Sequence, residues 1–305
     1  MRIASIGECM IELRQMPDGH LTRFYGGDTL NTAVYLARLG AAVDYVTALG
    51  DDPLSDEMIA GWQAEGIGTT RVVRLKGKLP GLYMIETNDA GERRFYHWRD
   101  ASAVRGLMNL PETDALLTSL ADDDLIYLSA ITLSLFDAAG RDRLIAALQR
   151  CRAAGVRVAF DTNFRARGWP DLDPARTAFQ QAFAASDIVL ASAEDLSALY
   201  PDDGEAALLD RIDAKEVVLK LATPASIVRR DGSAQRVTAA PIGGTVVDTT
   251  AAGDSFAAAY LHARLNGLEP VAAAEAGHRL AGAVVCHPGA IIPREAMPDM
   301  REQTQ

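Results

Sequence analysis

A run of small residues near the C-terminal end of the chain combines a candidate phosphate-binding turn with a carboxylate. The run from Asp248 to Asp254 leads through Ala251, Ala252 and Gly253 into an alanine-rich helical pattern. The free N–H groups at a helix start can approach an anion closely where side chains are small, and the helix dipole adds positive potential. Asp254 would then accept a proton from an attacking hydroxyl. The alternative is a helix start whose small residues only allow close packing.

A second segment with a candidate ligand-binding pattern lies near the N-terminus. Gly26 and Gly27 precede Asp28 and Asn31 at the start of an amphipathic helical pattern. Glycines allow the backbone to approach a ligand, while the two side chains offer an acceptor and a donor, which suits a polyol. The alternative is an ordinary turn in which Asn31 caps the helix.

Two arginines follow a predicted strand that ends at Asp161. Ligands in open α/β sheets gather at the carboxyl ends of the strands, and in extended conformation Asp161, Asn163 and Arg165 share one face. Arg165 would clamp a carboxylate or a phosphate, and Arg167 is an equally good candidate. The alternative is a surface salt bridge.

A third polar group lies on two strand patterns rich in aromatic and β-branched residues, 82–86 and 94–99. His97 and Arg99 share a face, and Tyr83 lies on the opposing strand. An ordinary exposed strand face explains these residues equally well.

Alternating patterns predict the elements that position these residues. Helices are predicted at 30–39, 55–65, 138–154, 193–199, 254–265 and 271–285. Strands are predicted at 3–6, 43–49, 125–129, 156–161, 188–191 and 216–220, with a strand-like run at 246–248. This alternation indicates an α/β fold with a mostly parallel sheet covered on both faces. Residues 10–25 and 79–100 break the rhythm and predict a small β lid, with a hairpin turn at 88–91.

Composition narrows the function class. The chain has 305 residues and a formal net charge of -11, which disfavours nucleic acid and anionic membrane surfaces as partners. Three widely spaced cysteines favour reduced thiols, and with no leader pattern or spanning apolar run we expect a cytoplasmic protein. The sequence contains no Walker-type loop, dinucleotide fingerprint, zinc-ligand spacing or nucleophile elbow.

The Gly26-Gly27…Asn31 segment, the strand-rich insert and the Asp248–Asp254 motif together resemble the ribokinase-like (PfkB) carbohydrate kinases over the whole chain. The resemblance implies a three-layer αβα sandwich with a small β-sheet lid, formed by one domain over residues 1–305. Four further segments, 6–13, 27–32, 79–83 and 289–294, resemble the members of this family that phosphorylate 2-dehydro-3-deoxygluconate at its 6-hydroxyl.

The resemblance also implies roles for individual residues. Asp254 would be the base, and Ala251, Ala252 and Gly253 the anion hole. The sugar would be held by Gly27, Asp28, Asn31, Tyr83, His97, Arg99, Arg165 and Asp254. The cofactors would be ATP and Mg²⁺, with a monovalent cation as a further candidate, and the nucleotide would contact Asn163, Arg165, Lys220, Ala222, Ser226, Gly253 and His278. The partners would be the acid sugar, ATP and further copies of the chain in a homo-oligomer.

Two departures from the family pattern affect the expected site. The loop at 221–226 lacks the usual glycines, and Pro224 removes a donor, so nucleotide binding would differ. His97 stands where tyrosine is common, which predicts pH-sensitive binding near neutrality. Two other functions stay open: a kinase for a neutral sugar such as fructose or tagatose, and a non-catalytic sugar-binding protein of the same fold.

Overall fold

A computed structural model describes residues 1–16, 18–87 and 93–300 of the chain. The strands of this part are β1 (Arg2–Ile6), β2 (Met10–Gln15), β3 (Leu21–Gly26), β4 (Ala42–Gly50), β5 (Val72–Leu75), β6 (Leu82–Thr87), β7 (Arg93–Trp98), β8 (Leu125–Ser129), β9 (Arg157–Asp161), β10 (Ile188–Ser192), β11 (Glu216–Lys220), β12 (Ala225–Arg230) and β13 (Ser233–Thr238). The α-helices are α1 (Asp28–Arg38), α2 (Pro53–Ala64), α3 (Thr113–Ser119), α4 (Ala130–Ser134), α5 (Ala138–Ala153), α6 (Leu172–Ala184), α7 (Ala193–Leu199), α8 (Glu205–Asp210), α9 (Ala252–Leu265) and α10 (Pro270–Val284).

The large sheet has nine strands in the order β13-β12-β11-β10-β9-β8-β1-β4-β5. All neighbouring pairs from β11 to β5 are parallel, whereas β12 and β13 continue the sheet as an antiparallel hairpin. The predicted mostly parallel sheet is therefore confirmed. Because the carboxyl ends of parallel strands meet at one edge, the loops after β1, β9, β10 and β11 converge there.

Helices cover both faces of this sheet. Along β8, Leu125 and Tyr127 pack into one buried cluster with α1, α9 and α10, whereas Ile126 and Leu128 pack into the opposite cluster with α5 and α6. Successive residues of a strand point to opposite faces, so a strand that is apolar throughout must be buried on both. The predicted three-layer αβα sandwich is confirmed.

The small sheet has four strands in the order β3-β2-β6-β7. Its central pair, β2 and β6, is parallel, and the two outer pairs are antiparallel, with Tyr83 opposite His97. This separate sheet coincides with the predicted lid segments 10–25 and 79–100. The predicted hairpin turn at 88–91 lies outside the described residues.

The predicted strand at 246–248 is wrong. These residues form a loop in which the amides of Val247 and Asp248 both donate to the carbonyl of Val285, at 2.8 and 3.2 Å. A single carbonyl at the end of α10 thus satisfies both of these amide donors. The segment therefore pairs with the end of a helix and not with a strand. Its apolar residues Val246 and Val247 are more than half exposed.

No helix in the described part of the chain is both long and apolar enough to span a membrane. The three cysteines, Cys9, Cys151 and Cys286, are free thiols, as their spacing predicts.

Candidate active site

The first turn of α9 is shaped by a strained residue. Ala251, immediately before the helix, adopts left-handed backbone angles of φ 61° and ψ 14°. The amide of Ala252 donates to the carbonyl of Thr249 at 3.2 Å, and the amide of Ser255 donates to that of Ala251 at 2.9 Å. The helix start therefore leaves the amides of Gly253 and Asp254 as the donors that its first turn does not use. Of the three residues predicted to form the anion hole, Gly253 has an unused amide, and Ala251 forms the turn before the helix.

Asp248 fixes the loop that precedes this turn. One carboxylate oxygen accepts hydrogen bonds from the amide and hydroxyl of Thr250, at 2.9 and 2.6 Å, and the other accepts from the amide of Gly289 at 2.9 Å. The side chain is buried, so these bonds replace its contacts with water. The motif is thereby tied to the segment after α10.

Asn31 positions the predicted base. Its Nδ2 donates to Oδ2 of Asp254 at 2.8 Å, and the neighbouring Thr32 hydroxyl donates to the main-chain carbonyl of Asp254 at 3.2 Å. Asn31 lies in the first turns of α1 and does not cap that helix, whose N-cap is Gly27. Its Oδ1 is buried without a hydrogen-bond partner among the described residues. Asn31 therefore orients the carboxylate of Asp254 and leaves one of its own acceptors unused among the described residues.

The surroundings of Asp254 raise the pKa of its carboxyl into the neutral pH range. Removal from solvent and the nearby charges of Asp28 and Asp161 raise the pKa of this carboxyl to about 8, although the Asn31 hydrogen bond and Lys220 partly oppose the shift. Burial likewise raises the pKa of Asp28, whose Oδ2 accepts from Nδ2 of Asn163 at 2.8 Å. A base with a pKa near the working pH is well matched to proton transfer.

Lys220 brings a positive charge to the start of α9. Its Nζ donates to Oδ2 of Asp161 at 2.9 Å, and a Cβ atom added to Gly253 would lie 3.6 Å from the same Nζ. The ammonium group thus lies between the end of β9 and the unused amides of α9. An anion held by those amides would contact Lys220 as well.

Arg165 lies on the side of β10 and α7. Its guanidinium is 3.6 Å from Oδ1 of Asp195, donates to the carbonyl of Phe164 at 2.7 Å, and is 54% exposed. Burial and the charge of Asp161 raise the pKa of Asp195 to about 6, while Lys220 and Arg165 oppose the shift. The three residues predicted to share a face, Asp161, Asn163 and Arg165, therefore have three different partners.

The predicted residues of the small sheet face the Gly26-Gly27 turn. The Tyr83 hydroxyl donates to Glu12, and a Cβ atom on Gly26 would clash with that hydroxyl, so a larger residue there would have to displace the tyrosine side chain. Arg99 forms an ion pair with Glu8, whose side chain is 2% exposed. Glu8 was not predicted as a site residue, although its position just after β1 at the carboxyl edge of the sheet was a usable signal.

His97 stacks on Tyr83 with 5.7 Å between ring centroids, and its Nε2 is in contact with the guanidinium of Arg167. Burial and the charges of Arg167 and Arg99 lower the pKa of His97 to about 4. The ring is therefore neutral at pH 7 in the protein without ligand, and the pH sensitivity of ligand binding stays a prediction. Its Nδ1 is buried without a hydrogen-bond partner in the described part of the chain.

The loop after β11 meets α10, and both segments were predicted to contact the nucleotide. The buried Ser226 hydroxyl is 3.0 Å from Nε2 of His278, and this ring packs edge-on against Phe256 at 4.9 Å. The hairpin is closed by the amide of Leu221, which donates to the carbonyl of Ala225 at 3.0 Å. Ala222 does not adopt a positive φ, so this loop forms without the missing glycines.

The sequence of this chain matches a known protein family. Residues 1–297 match the model of the pfkB family of carbohydrate kinases. This chain belongs to that family. It is 46% identical to the 2-dehydro-3-deoxygluconokinase of Dickeya dadantii, over 97% of this chain and 98% of that protein.

Solved structures of this kinase family have the same fold. The 2-dehydro-3-deoxygluconokinase of Thermotoga maritima superposes with a TM-score of 0.81 at 23% identity, covering 96% of each chain. The ATP-bound fructokinase of Xylella fastidiosa superposes with a TM-score of 0.80 at 25% identity, covering 97% of this chain and 95% of that one. The fold class is thus shared by kinases for an acid sugar and for a neutral sugar, so the fold does not choose between them.

Proposed function

We propose that this kinase transfers the γ-phosphoryl group of ATP to the 6-hydroxyl of 2-dehydro-3-deoxygluconate. The observation that carries the proposal is the half-buried Asp254, oriented by Asn31 and placed beside the unused amides of α9. The 46% identity to a 2-dehydro-3-deoxygluconokinase, over nearly the full length of both chains, supports the choice of substrate. An acid sugar also explains why the cations Arg99, Arg165 and Arg167 lie close to one another in an acidic protein.

Asp254 acts on the attacking hydroxyl. The carboxylate accepts the proton of the 6-hydroxyl as the oxygen forms its bond to phosphorus, and the bond from the γ-phosphorus to the β-phosphate oxygen breaks. Asn31 keeps the carboxylate in one orientation, which preserves the reactive alignment. The high pKa of the free carboxyl makes it a stronger base than an exposed aspartate.

The charge of the moving phosphoryl group is stabilised by the start of α9. The amides of Gly253 and Asp254 and the ammonium of Lys220 converge on this position. Fixed donors of this kind contribute most of the catalysis in phosphoryl transfer. The nucleotide itself would contact Ser226, His278 and the loop around Ala222.

Mg²⁺ would neutralise the nucleotide phosphates when bound. This ion usually takes one or two protein carboxylates together with phosphate oxygens. Asp161 at the end of β9 and Asp195 in the first turn of α7, whose charges lie close together, fit that requirement. A monovalent cation, a homo-oligomeric assembly and a cytoplasmic setting stay predictions from the sequence.

A coupled ADP-release assay tests the proposal. Purified protein and MgATP would be supplied with 2-dehydro-3-deoxygluconate, fructose, ribose or gluconate, and the product would be located by phosphorus NMR. We expect turnover with the first compound and a 6-phosphate product. Turnover with fructose alone would replace the proposal with a neutral-sugar kinase, and no turnover with any compound would favour a binding protein.

A further inference from the structure

Helix α1 brings two polar side chains to the site, one turn apart. Asn31 donates from Nδ2 to Oδ2 of Asp254 at 2.8 Å and so orients the base. Asp28, three residues earlier, is the first residue of the same helix. Because residues three apart are neighbours on the surface of a helix, a displacement of Asp28 also displaces Asn31 and the base that it holds.

Asp28 is in turn held from the nucleotide side of the site. Its Oδ2 accepts from Nδ2 of Asn163 at 2.8 Å, and the main-chain amide of Asn163 donates to Oδ1 of Asp161 at 3.1 Å. The other oxygen of Asp161 accepts from Nζ of Lys220 at 2.9 Å, and this ammonium group lies next to Gly253 at the start of α9. The bond between Asp28 and Asn163 therefore joins the helix that orients the base to the residues expected to bind the phosphates.

From this chain of hydrogen bonds we propose that Asp28 is a positioning residue, which together with Asn163 fixes the base at the correct distance from the phosphoryl group. The inference rests on the proposed function. It replaces the role of sugar ligand that the resemblance implied for Asp28. It also gives Asn163 a second role besides the expected contact with the nucleotide.

The carboxylate of Asp28 is already surrounded by donors of the protein. Burial raises its pKa, whereas interactions with the Ser129 side chain, the Asn163 side chain and the amide of Thr29 oppose the shift. Ser129 is the last residue of β8 and Asn163 follows the end of β9, so Asp28 connects α1 to the ends of two central strands. A sugar hydroxyl would have to compete with these donors, so a structural link explains this carboxylate better than a sugar contact.

An exchange of the two side chains tests the link. Asn163→Asp alone places two carboxylates against each other, and the loss of a hydrogen bond to a charged group predicts a roughly 10- to 150-fold fall in kcat. Asp28→Asn alone keeps an oxygen that can accept from Asn163, so its kcat should fall by less than about tenfold. The double variant restores the bond with donor and acceptor exchanged, and its kcat should recover to within about tenfold of wild type.

The Michaelis constants separate positioning from direct contact with a ligand. In Asp28→Asn, the KM for the acid sugar should change by less than about threefold, because no sugar contact is removed. In Asn163→Asp and in the double variant, the KM for ATP should stay raised, because the new carboxylate repels the phosphates. The matched control is the exchange Gln181→Glu with Asp142→Asn, an exposed amide–carboxylate pair between α6 and α5 at 3.3 Å, which should leave kcat and both KM values unchanged.

Alanine variants measure the same link if Asn163→Asp does not fold. Asp28→Ala with Asn163→Ala should lose no more kcat than the slower single variant, because either change already breaks the bond.

Three results would overturn the assignment and leave the proposed function intact. They are losses of kcat that multiply in the double alanine variant, an exchanged pair no faster than Asn163→Asp, and a rise of about tenfold or more in the KM for the sugar in Asp28→Asn. If the wild type phosphorylates only a neutral sugar, the proposed function fails and the same series is measured with that sugar. Absence of wild-type turnover with every sugar refutes the proposed function, and the assignment with it.

Discussion

Replacing Asp254 with asparagine separates the catalytic role of this carboxylate from its cost to the fold. The substitution removes the base but keeps an oxygen that can accept from Asn31. We expect turnover to fall by roughly 10²- to 10⁴-fold, the usual contribution of a positioned general base. We also expect the folded protein to become more stable at pH 8.

The stability gain follows from the direction of the pKa shift. The folded pKa of about 8 lies above the ordinary value of 3.8, so between these values the native state binds more protons than the unfolded state. Native stability from this group therefore falls as pH rises through that interval, and the loss is complete above about pH 8. The difference of about four pH units corresponds to about 1.4 kcal/mol per unit. Because Asp254 keeps some solvent contact, we expect about 1–3 kcal/mol rather than the full product.

Denaturant unfolding of wild type and Asp254→Asn at pH 5 and pH 8 measures this difference. The gain in Asp254→Asn should be larger at pH 8 than at pH 5, because the wild-type carboxyl is mostly protonated at the lower pH. Asp202→Asn, an exposed aspartate, controls for removal of a charge. Turnover within tenfold of wild type, or lower stability than wild type at pH 8, would refute the reasoning.

Three further predictions concern single residues of the site. Ala251→Gly should raise the unfolding free energy by ~1 kcal/mol, because glycine adopts left-handed angles without strain; a loss of stability in denaturant unfolding would contradict this. Glu8→Gln should lower the unfolding free energy by ~3–5 kcal/mol by leaving Arg99 buried and unpaired, and adding Arg99→Met should recover part of the loss, whereas additive losses would count against the pair. In the Asp254→Asn background, calorimetric affinity for the acid sugar should vary less than about twofold from pH 6 to 8, because His97 titrates near 4; a steep change in that interval would contradict its neutrality.

The sequence predicted the regular elements of the sandwich well because their patterns are local. The bounds of β8, α7 and β11 agree with the prediction at both ends. The hairpin β12–β13 was not predicted, although its turn contains Asp231-Gly232 with φ values of 50° and 78°. An Asp-Gly pair between strand patterns is a strong hairpin signal, so this information was present in the sequence.

Helix α6 was also missed, as were α3, α8 and β5. Its start is marked by Asp171, whose side chain accepts from the amide of Asp173 at 2.9 Å. Its buried face carries Phe179 and Phe183, which pack edge-to-face against Phe160 of β9 at 5.7 and 6.0 Å. A cap followed by aromatic residues at helical spacing was a readable signal.

The pairings inside the site could not be predicted in the same way. Asn31 and Asp254 are 223 residues apart, and Asp28 and Asn163 are 135 apart. Local patterns predicted that each residue lies at a strand end or helix start, but they contain no information about which side chain meets which. As a result, residues expected to contact the sugar, such as Asn31 and Asp28, were not predicted to orient other residues of the site.

The distribution of charge in the site explains how an acidic chain can hold two anions. Lys220 is paired with Asp161, Arg99 with Glu8, and Arg165 lies near Asp195. Each carboxylate keeps its cation in place before a ligand arrives and limits repulsion among the cations.

The same pairing reduces the net attraction that each cation offers to an anion, because the partner carboxylate repels it. An anion that binds at Lys220, Arg99 or Arg165 must therefore weaken an ion pair or charge contact that is already present.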